Sequence, residues 1–77
     1  SIDIRGKTVE EAMLDLETFI DNILRTGLNE ITIIHGKGTG ALRKGIHTYL
    51  RKHPNIRTFR VGTFGEGEEG VTIAQLK

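Results

Sequence analysis

The sequence has no cysteine, no tryptophan and a single proline among its 77 residues. Without cysteine there is no disulfide framework and no thiolate metal site. Long apolar runs are also lacking, and the longest falls far short of the ~20 residues that cross a bilayer, so no membrane association is expected. A chain of this length forms one domain. We expect residues 1–77 to be a single cytoplasmic domain excised from a longer protein, because the chain begins at Ser1 rather than Met.

Carboxylates are missing from the whole stretch between Glu30 and Glu66. Residues 35–64 contain seven Lys or Arg residues and no acid, although the net charge of the chain is only +1. An acid-free basic segment is typical of a face that binds a polyanion. The alternative is a solvated basic helix whose charges are balanced by acids folded beside it. The basic residues are Lys37, Arg43, Lys44, Arg51, Lys52, Arg57 and Arg60.

The hydrophobic pattern predicts four strands and two helices. Apolar residues three and four positions apart trace one face of a helix over residues 8–27, with Thr8 and Glu11 forming a capping box and Gly27 at its C-cap. A second helix is predicted over residues 41–53, ended by Pro54. Strands are predicted at residues 2–6, 30–34, 56–61 and 71–76. The order β-α-β-α-β-β predicts a two-layer α/β fold with a four-stranded mixed sheet and parallel crossovers.

The segment "HGKGTGA" between a strand and a helix predicts a phosphate site. A Walker A loop is excluded because Lys37 precedes the second glycine. A dinucleotide fingerprint is disfavoured because no acid lies about 20 residues further on, so we expect no nucleotide cofactor. The remaining interpretation is a backbone phosphate seat at a helix N-terminus, the alternative being a turn that only reverses the chain. The predicted phosphate contacts are Gly36, Lys37, Gly38, Thr39, Gly40, Arg43, Lys44, Arg51, Lys52, Arg57 and Arg60.

Three side chains are candidates for chemistry at this turn. His35 ends a buried strand, where α/β ligands usually bind, and an imidazole can move a proton in phosphodiester cleavage. Asp3 and Arg5 are expected at the same sheet edge, with Arg5 holding a phosphate and Asp3 orienting His35 or Arg5 or holding a metal ion. The alternatives are a satisfied turn histidine and an ordinary ion pair. The spacing of the histidines predicts no transition-metal site, and His47 and His53 are expected to be surface contacts.

The segments "IDIRG", "IIHGKGTGALRKGIHTYLRKHP" and "GEGEEGVTIAQL" together resemble the Smr (small MutS-related) domain, most closely the version at the C-terminus of bacterial type-two MutS-like proteins. The resemblance covers nearly the whole chain. It implies a βαβαββ fold similar to the C-terminal domain of translation initiation factor three. The family's H-G-x-G motif maps to His35, Gly36 and Gly38, and its L-D-x-[His/Arg] motif maps to Asp3 and Arg5. Many relatives have His where this chain has Arg5, and Arg is no general acid or base near neutral pH.

The resemblance implies a nucleic-acid-directed activity, often a DNA-nicking endonuclease, in a dimeric parent protein with a MutS-like ATPase core. Such parents are linked to suppression of homologous recombination and, in some lineages, to stalled or collided ribosomes. We therefore expect a monomeric DNA-nicking domain with little sequence specificity, acting on branched DNA among other substrates. The alternative is a non-catalytic module that binds RNA or the ribosome. The residues do not decide between a metal-free reaction and one assisted by Mg²⁺ or Mn²⁺.

Overall fold

The computed structural model describes residues 1–38 and 40–77. Four strands form one mixed sheet: β1 (Ile2–Asp3), β2 (Glu30–Ile34), β3 (Ile56–Val61) and β4 (Val71–Leu76). The helices are α1 (Val9–Leu24) and α2 (Ala41–Lys52), and a single 3₁₀ turn covers Glu68–Gly70. The predicted element order and fold class are confirmed.

The strand order in the sheet is β1-β2-β4-β3. β1 pairs in parallel with β2, whereas β4 is antiparallel to both β2 and β3. The last strand therefore lies between β2 and β3, which run in the same direction without touching. This arrangement brings the ends of β1 and β2 together with the start of β4, since Ile34 is the register partner of both Asp3 and Val71.

The core lies between the helices and one face of the sheet. Because side chains alternate along a strand, Ile31 and Ile33 of β2 face the helices together with Ala74 and Leu76 of β4. The helices contribute buried residues at helical spacing to the same cluster. These are Ala12, Leu16 and Ile20 from α1, and Ile46 and Leu50 from α2.

The ends of the helices follow the sequence signals closely. Thr8 Oγ1 accepts a hydrogen bond from the Glu11 N–H, and the Glu11 carboxylate accepts one from the Thr8 N–H, which confirms the capping box. The C-cap of α1 is Arg25, two residues before Gly27. Gly27 instead takes a left-handed conformation at φ 79° in the turn that follows, which glycine adopts at little cost.

Candidate nucleic-acid interface

A cleft of about 390 Å³ opens where β1 and β2 end and both helices begin. Its floor is the glycine turn, which here means Gly36, Lys37, Gly38 and Gly40. The side chains of Lys7, Lys37 and Arg43 contribute positive charge to its walls. The N-cap of α2 is Gly40, which has no side chain with which to cap the helix. The positive end of the helix dipole and Arg43 therefore meet at one concavity, together with Lys7 and Lys37, which are paired with Asp15 and Glu68.

The glycine turn has a backbone that favours glycine at three positions. Gly36, Gly38 and Gly40 have φ of 79°, 33° and 85°, values at which a Cβ atom is strained. Gly36 also lies against Arg5, whose Cγ is 3.4 Å from the place of a Cβ atom at Gly36. The backbone at these three positions therefore favours glycine, and Arg5 packs against Gly36.

The turn is held from below by Gly70, the residue before β4. The N–H groups of His35 and Gly36 both donate to the Gly70 carbonyl, at 3.0 and 2.9 Å. A Cβ atom at Gly70 would lie 3.6 Å from Gly36 Cα, so the two backbone segments touch. The "GEEGVT" segment and the "HGKG" segment, far apart in sequence, therefore form one structural unit.

His35 forms the inner wall of the cleft and is only 4% exposed. Its Nδ1 lies 2.9 Å from the Gly36 carbonyl oxygen, and its Nε2 lies 2.8 Å from Thr72 Oγ1. A carbonyl oxygen can only accept, so Nδ1 is the donor. The ring is thus at the predicted place, and both of its nitrogens are engaged within the protein.

Thr72 and His47 belong to the site and were missed by the sequence analysis. Thr72 is fully buried, and its Oγ1 also lies 2.8 Å from His47 Nε2. His47 lines a concavity along α2, and its half-buried ring also packs 5.0 Å from Phe59, so it is more than the surface contact that was expected. One signal was available: Thr72 shares the core-facing register of Ala74, and a polar residue there requires a buried partner.

Asp3 and Arg5 form an ion pair beside the turn. Arg5 Nε and Nη2 donate to the Asp3 carboxylate, with a shortest distance of 2.7 Å. These hydrogen bonds, with a further one from the Arg5 N–H, lower the pKa of Asp3 to about 2. Asp3 is the register partner of Ile34, which alternates with core-facing Ile33, so the pair lies on the sheet face opposite the helices. Among the described residues that line the cleft, neither Asp3 nor Arg5 is found.

A second concavity continues from the cleft along α2. Arg43, Lys44, His47 and Arg51 line it, as expected for positions four residues apart on one helix face. Within the described ranges 1–38 and 40–77, no carboxylate pairs with Arg43, Lys44 or Arg51. The guanidinium of Arg51 lies 5.8 Å from the centroid of the Phe59 ring. These two concavities together are called the basic groove below.

The other predicted cations do not all share this surface. Lys37 pairs with Glu68 at 3.6 Å, and Arg60 pairs with Glu66 at 2.7 Å. Lys52 lines a separate, more apolar groove between the helices, and Arg57 is exposed on the edge strand β3. The predicted contact Thr39 lies outside the described residues. The cations of residues 35–64 therefore do not form one surface. In the described part of the chain, those that line the basic groove without a paired acid are Arg43, Lys44 and Arg51.

No helix in the described part of the chain is long and apolar enough to cross a membrane. The family profile of the Smr domain matches residues 2–77. Over all 77 residues the chain is 53% identical to the endonuclease MutS2 of Caldicellulosiruptor bescii, and over 76 residues it is 51% identical to that of Brevibacillus brevis. The chain spans about a tenth of the length of these relatives.

Two solved structures share the fold. The Smr domain of Thermus thermophilus MutS2 superposes with a TM-score of 0.96 at 39% identity, covering 99% of this chain and 95% of that one. The stand-alone small MutS-related protein YdaL of Escherichia coli gives a TM-score of 0.88, covering 97% of this chain and 63% of that one. At 23% identity YdaL shows the fold alone. The βαβαββ fold, the two joined glycine segments and the full-length match together show that this chain belongs to the Smr domain family.

Proposed function

We propose that this domain binds the phosphodiester backbone of nucleic acid in the basic groove and nicks DNA there with little sequence specificity. The observation behind this proposal is one continuous groove, in which Arg43 and Lys44 lie beside the glycine turn at the start of α2 and Arg51 lies further along the same helix. Backbone amides and unpaired cations recognise phosphate without reading bases. The MutS2 relatives are named endonucleases, which supports the same class of substrate.

In the proposed reaction His35 moves a proton at the scissile phosphate. Its Nδ1–H is held by the Gly36 carbonyl, so the phosphate must replace that carbonyl as the acceptor before Nδ1 can act. Lys37, whose side chain is 64% exposed, is close enough to the turn to neutralise developing charge. Arg5 supports the turn from behind and presents a 63% exposed side chain, and Asp3 fixes its orientation.

Metal assistance belongs to the same proposal and has no assigned ligand set. Asp3 pairs in register with Ile34 at the end of β2, and both of its oxygens accept hydrogen bonds from Arg5. A Mg²⁺ or Mn²⁺ ion that used Asp3 would compete with that pair. Nicking should therefore be measured with each ion and with a chelator.

A plasmid-nicking assay with His35→Asn tests the catalytic proposal. Asparagine keeps an N–H donor for the Gly36 carbonyl and removes the nitrogen that titrates, so the turn is retained while proton transfer is lost. General acid–base catalysis contributes about 10²–10⁴-fold, and we expect a loss of that order with unchanged DNA affinity. Equal nicking by a folded His35→Asn variant would refute the proposed nuclease activity. So would the absence of nicking, with any added ion, by the unsubstituted 77-residue chain, which is called the parent chain below.

The second candidate is a non-catalytic module that binds RNA or the ribosome. Two observations favour it: Arg5 cannot transfer protons near neutral pH, and both ring nitrogens of His35 are already bound inside the protein. Tight binding of a ribosomal RNA hairpin by the parent chain, without cleavage of any DNA, is the result that this candidate predicts.

A further inference from the structure

One buried hydroxyl links two histidines that face different parts of the basic groove. Thr72 Oγ1 is 2.8 Å from Nε2 of His35 and 2.8 Å from Nε2 of His47, and Thr72 is fully buried. The two ring centroids are 6.3 Å apart, with an angle of 84° between the planes. His35 lines the cleft at the glycine turn, and His47 lines the part of the groove along α2.

The hydrogen bonds of His35 determine which group donates and which accepts along the chain of hydrogen bonds that joins the two histidines. The Gly36 carbonyl can only accept, so the proton of neutral His35 is on Nδ1 and its Nε2 is an acceptor. That acceptor takes the single proton of the Thr72 hydroxyl. The Thr72 oxygen is then an acceptor for His47, whose proton must be on Nε2. The neutral site therefore has one order of donors: His47 to Thr72 to His35 to Gly36.

The same hydrogen-bond chain keeps a partner for every proton with one positive charge, whereas a second charge would leave the Thr72 hydroxyl proton without an acceptor in the site. Charged His47 keeps its Nε2 proton and leaves the order intact. Charged His35 donates from Nε2 to the Thr72 oxygen, and the Thr72 hydroxyl proton then keeps an acceptor within the site only if it turns towards a bare Nε2 of His47. The charge can pass between the rings in one concerted step. The proton on His47 Nε2 moves to Thr72 Oγ1 as the proton of Thr72 moves to His35 Nε2, and no other reactant is needed.

We propose that Thr72 and His47 are positioning residues that set the protonation of His35 and relay a proton between the α2 side of the groove and the cleft. The relay itself rests only on the hydrogen-bond geometry, and its use in strand cleavage rests on the proposed function. A phosphate bound along α2 favours the charged form of His47, and the relay can deliver that proton to the wall of the cleft.

The charges around His47 come from two elements. Arg43 and Arg51 lie on its own helix, and His35 acts from the end of β2, whereas β3 supplies the apolar ring of Phe59. Burial of the ring is the largest cause that lowers the pKa of His47, followed by repulsion from His35 in its charged form and from Arg43 and Arg51. The free protein therefore favours the neutral form of His47, and a bound phosphate would offset the arginines. On the cleft side the cations beside His35 are Lys7, Lys37 and Arg43.

Long-range ¹H–¹⁵N NMR of the histidine rings tests the relay without any nucleic acid. At high pH we expect the proton on Nδ1 of His35 and on Nε2 of His47. As the pH falls, the ring nitrogens of both histidines should shift with one shared midpoint. A His35 proton on Nε2 at high pH, or two independent midpoints, would overturn the relay.

Substitutions of Thr72 separate the relay from simple proximity. Thr72→Val removes the hydroxyl at nearly constant volume and should uncouple the two midpoints, whereas Thr72→Ser should keep them coupled. Thr58→Val makes the same change at an exposed strand position and should have no effect. If Thr72→Val does not fold, His47→Gln takes its place. The midpoint at which the His35 ring nitrogens shift with pH should then differ from the midpoint that His35 shares with His47 in the parent chain, and an unchanged midpoint contradicts the relay.

The nicking assay then tests the use of the relay in the proposed reaction. Thr72→Val should lower the rate about tenfold, a fraction of the 10²–10⁴ ascribed to proton transfer, and should alter the pH–rate profile, while Thr72→Ser restores both. Coupled histidines without any nicking by the parent chain would refute the proposed function and leave the relay standing. Nicking with a pH–rate profile that is the same in all variants would refute the catalytic use of the relay.

Discussion

The dependence of DNA binding on salt follows from the number of unpaired cations in the basic groove. Arg43, Lys44 and Arg51 line the groove without a partner acid in residues 1–38 and 40–77. Each neutralised phosphate contributes about −0.9 to the slope of log K against log salt on duplex DNA. Three contacts give a slope of about −2.7, so affinity should fall about 40-fold between 50 and 200 mM salt.

Replacement of one groove cation tests this count. Arg43 lines both concavities, and Arg43→Gln should reduce the slope to about −1.8, which leaves a loss of about 12-fold over the same salt range. Arg25→Gln is the matched control, because Arg25 is exposed at the C-cap of α1 and should leave the slope unchanged. The measurement is fluorescence anisotropy of a short labelled duplex at several KCl concentrations.

Two outcomes would refute the reasoning. A parent slope shallower than about −1 would mean that fewer than two phosphates are neutralised, so the groove would not be the interface. Equal slopes for the parent chain and Arg43→Gln, with a reduced slope for Arg25→Gln, would place the contact surface on α1 instead. Each slope compares affinities for the same DNA at different salt concentrations, so a constant error in absolute affinity does not change it.

Three further predictions concern the loop between β3 and β4. Gly67 has φ 105°, and a Cβ atom there would lie 2.3 Å from Val71 Cγ2, so Gly67→Ala should destabilise the fold by about 2 kcal/mol in a thermal melt. The control is Gly65→Ala, at φ 89° with open space around it, which should destabilise the fold less; an equal destabilisation would contradict the packing argument. Arg60 and Thr63 lower the pKa of Glu66 to about 2, so the stability that ionised Glu66 contributes is complete above the ordinary glutamate pKa and is lost as the pH falls through about 2. Thermal melts between pH 5 and about 2 should therefore show a smaller loss of stability for Glu66→Gln than for the parent chain. Phe64 is 92% exposed, so Phe64→Ala should weaken single-stranded DNA binding by about 1 kcal/mol if a base stacks there and leave duplex binding unchanged; an unaltered single-strand affinity would show that no base stacks on Phe64.

The regular elements could be predicted because their signals are local. The apolar spacing of α1, the capping box at Thr8 and the β-branched run of β2 each describe a few neighbouring residues. Helix and strand periods are properties of one segment, so no distant contact is needed to recognise them. The position of β4 between β2 and β3 is different, because it depends on which sheet edges meet in space.

The candidate site was predicted in part for the same reason. The sequence located His35 and the glycine turn, since both lie in one short segment, and the roles of His35, Arg5 and Asp3 stay predictions. It could not show that Arg60 is paired with Glu66, because a charge count does not reveal which opposite charges fold together.

By itself, the sequence determined that this chain is a small two-layer α/β domain with a glycine-rich turn at the start of a basic helix. Periodicity, capping and turn chemistry depend on near neighbours in the sequence, so they can be recognised without knowledge of the fold. Only the tertiary structure decided that Thr72 joins His35 to His47, and that Gly70 holds the turn. Those contacts span 25 to 37 residues, and they arise because β4 enters the sheet beside β2.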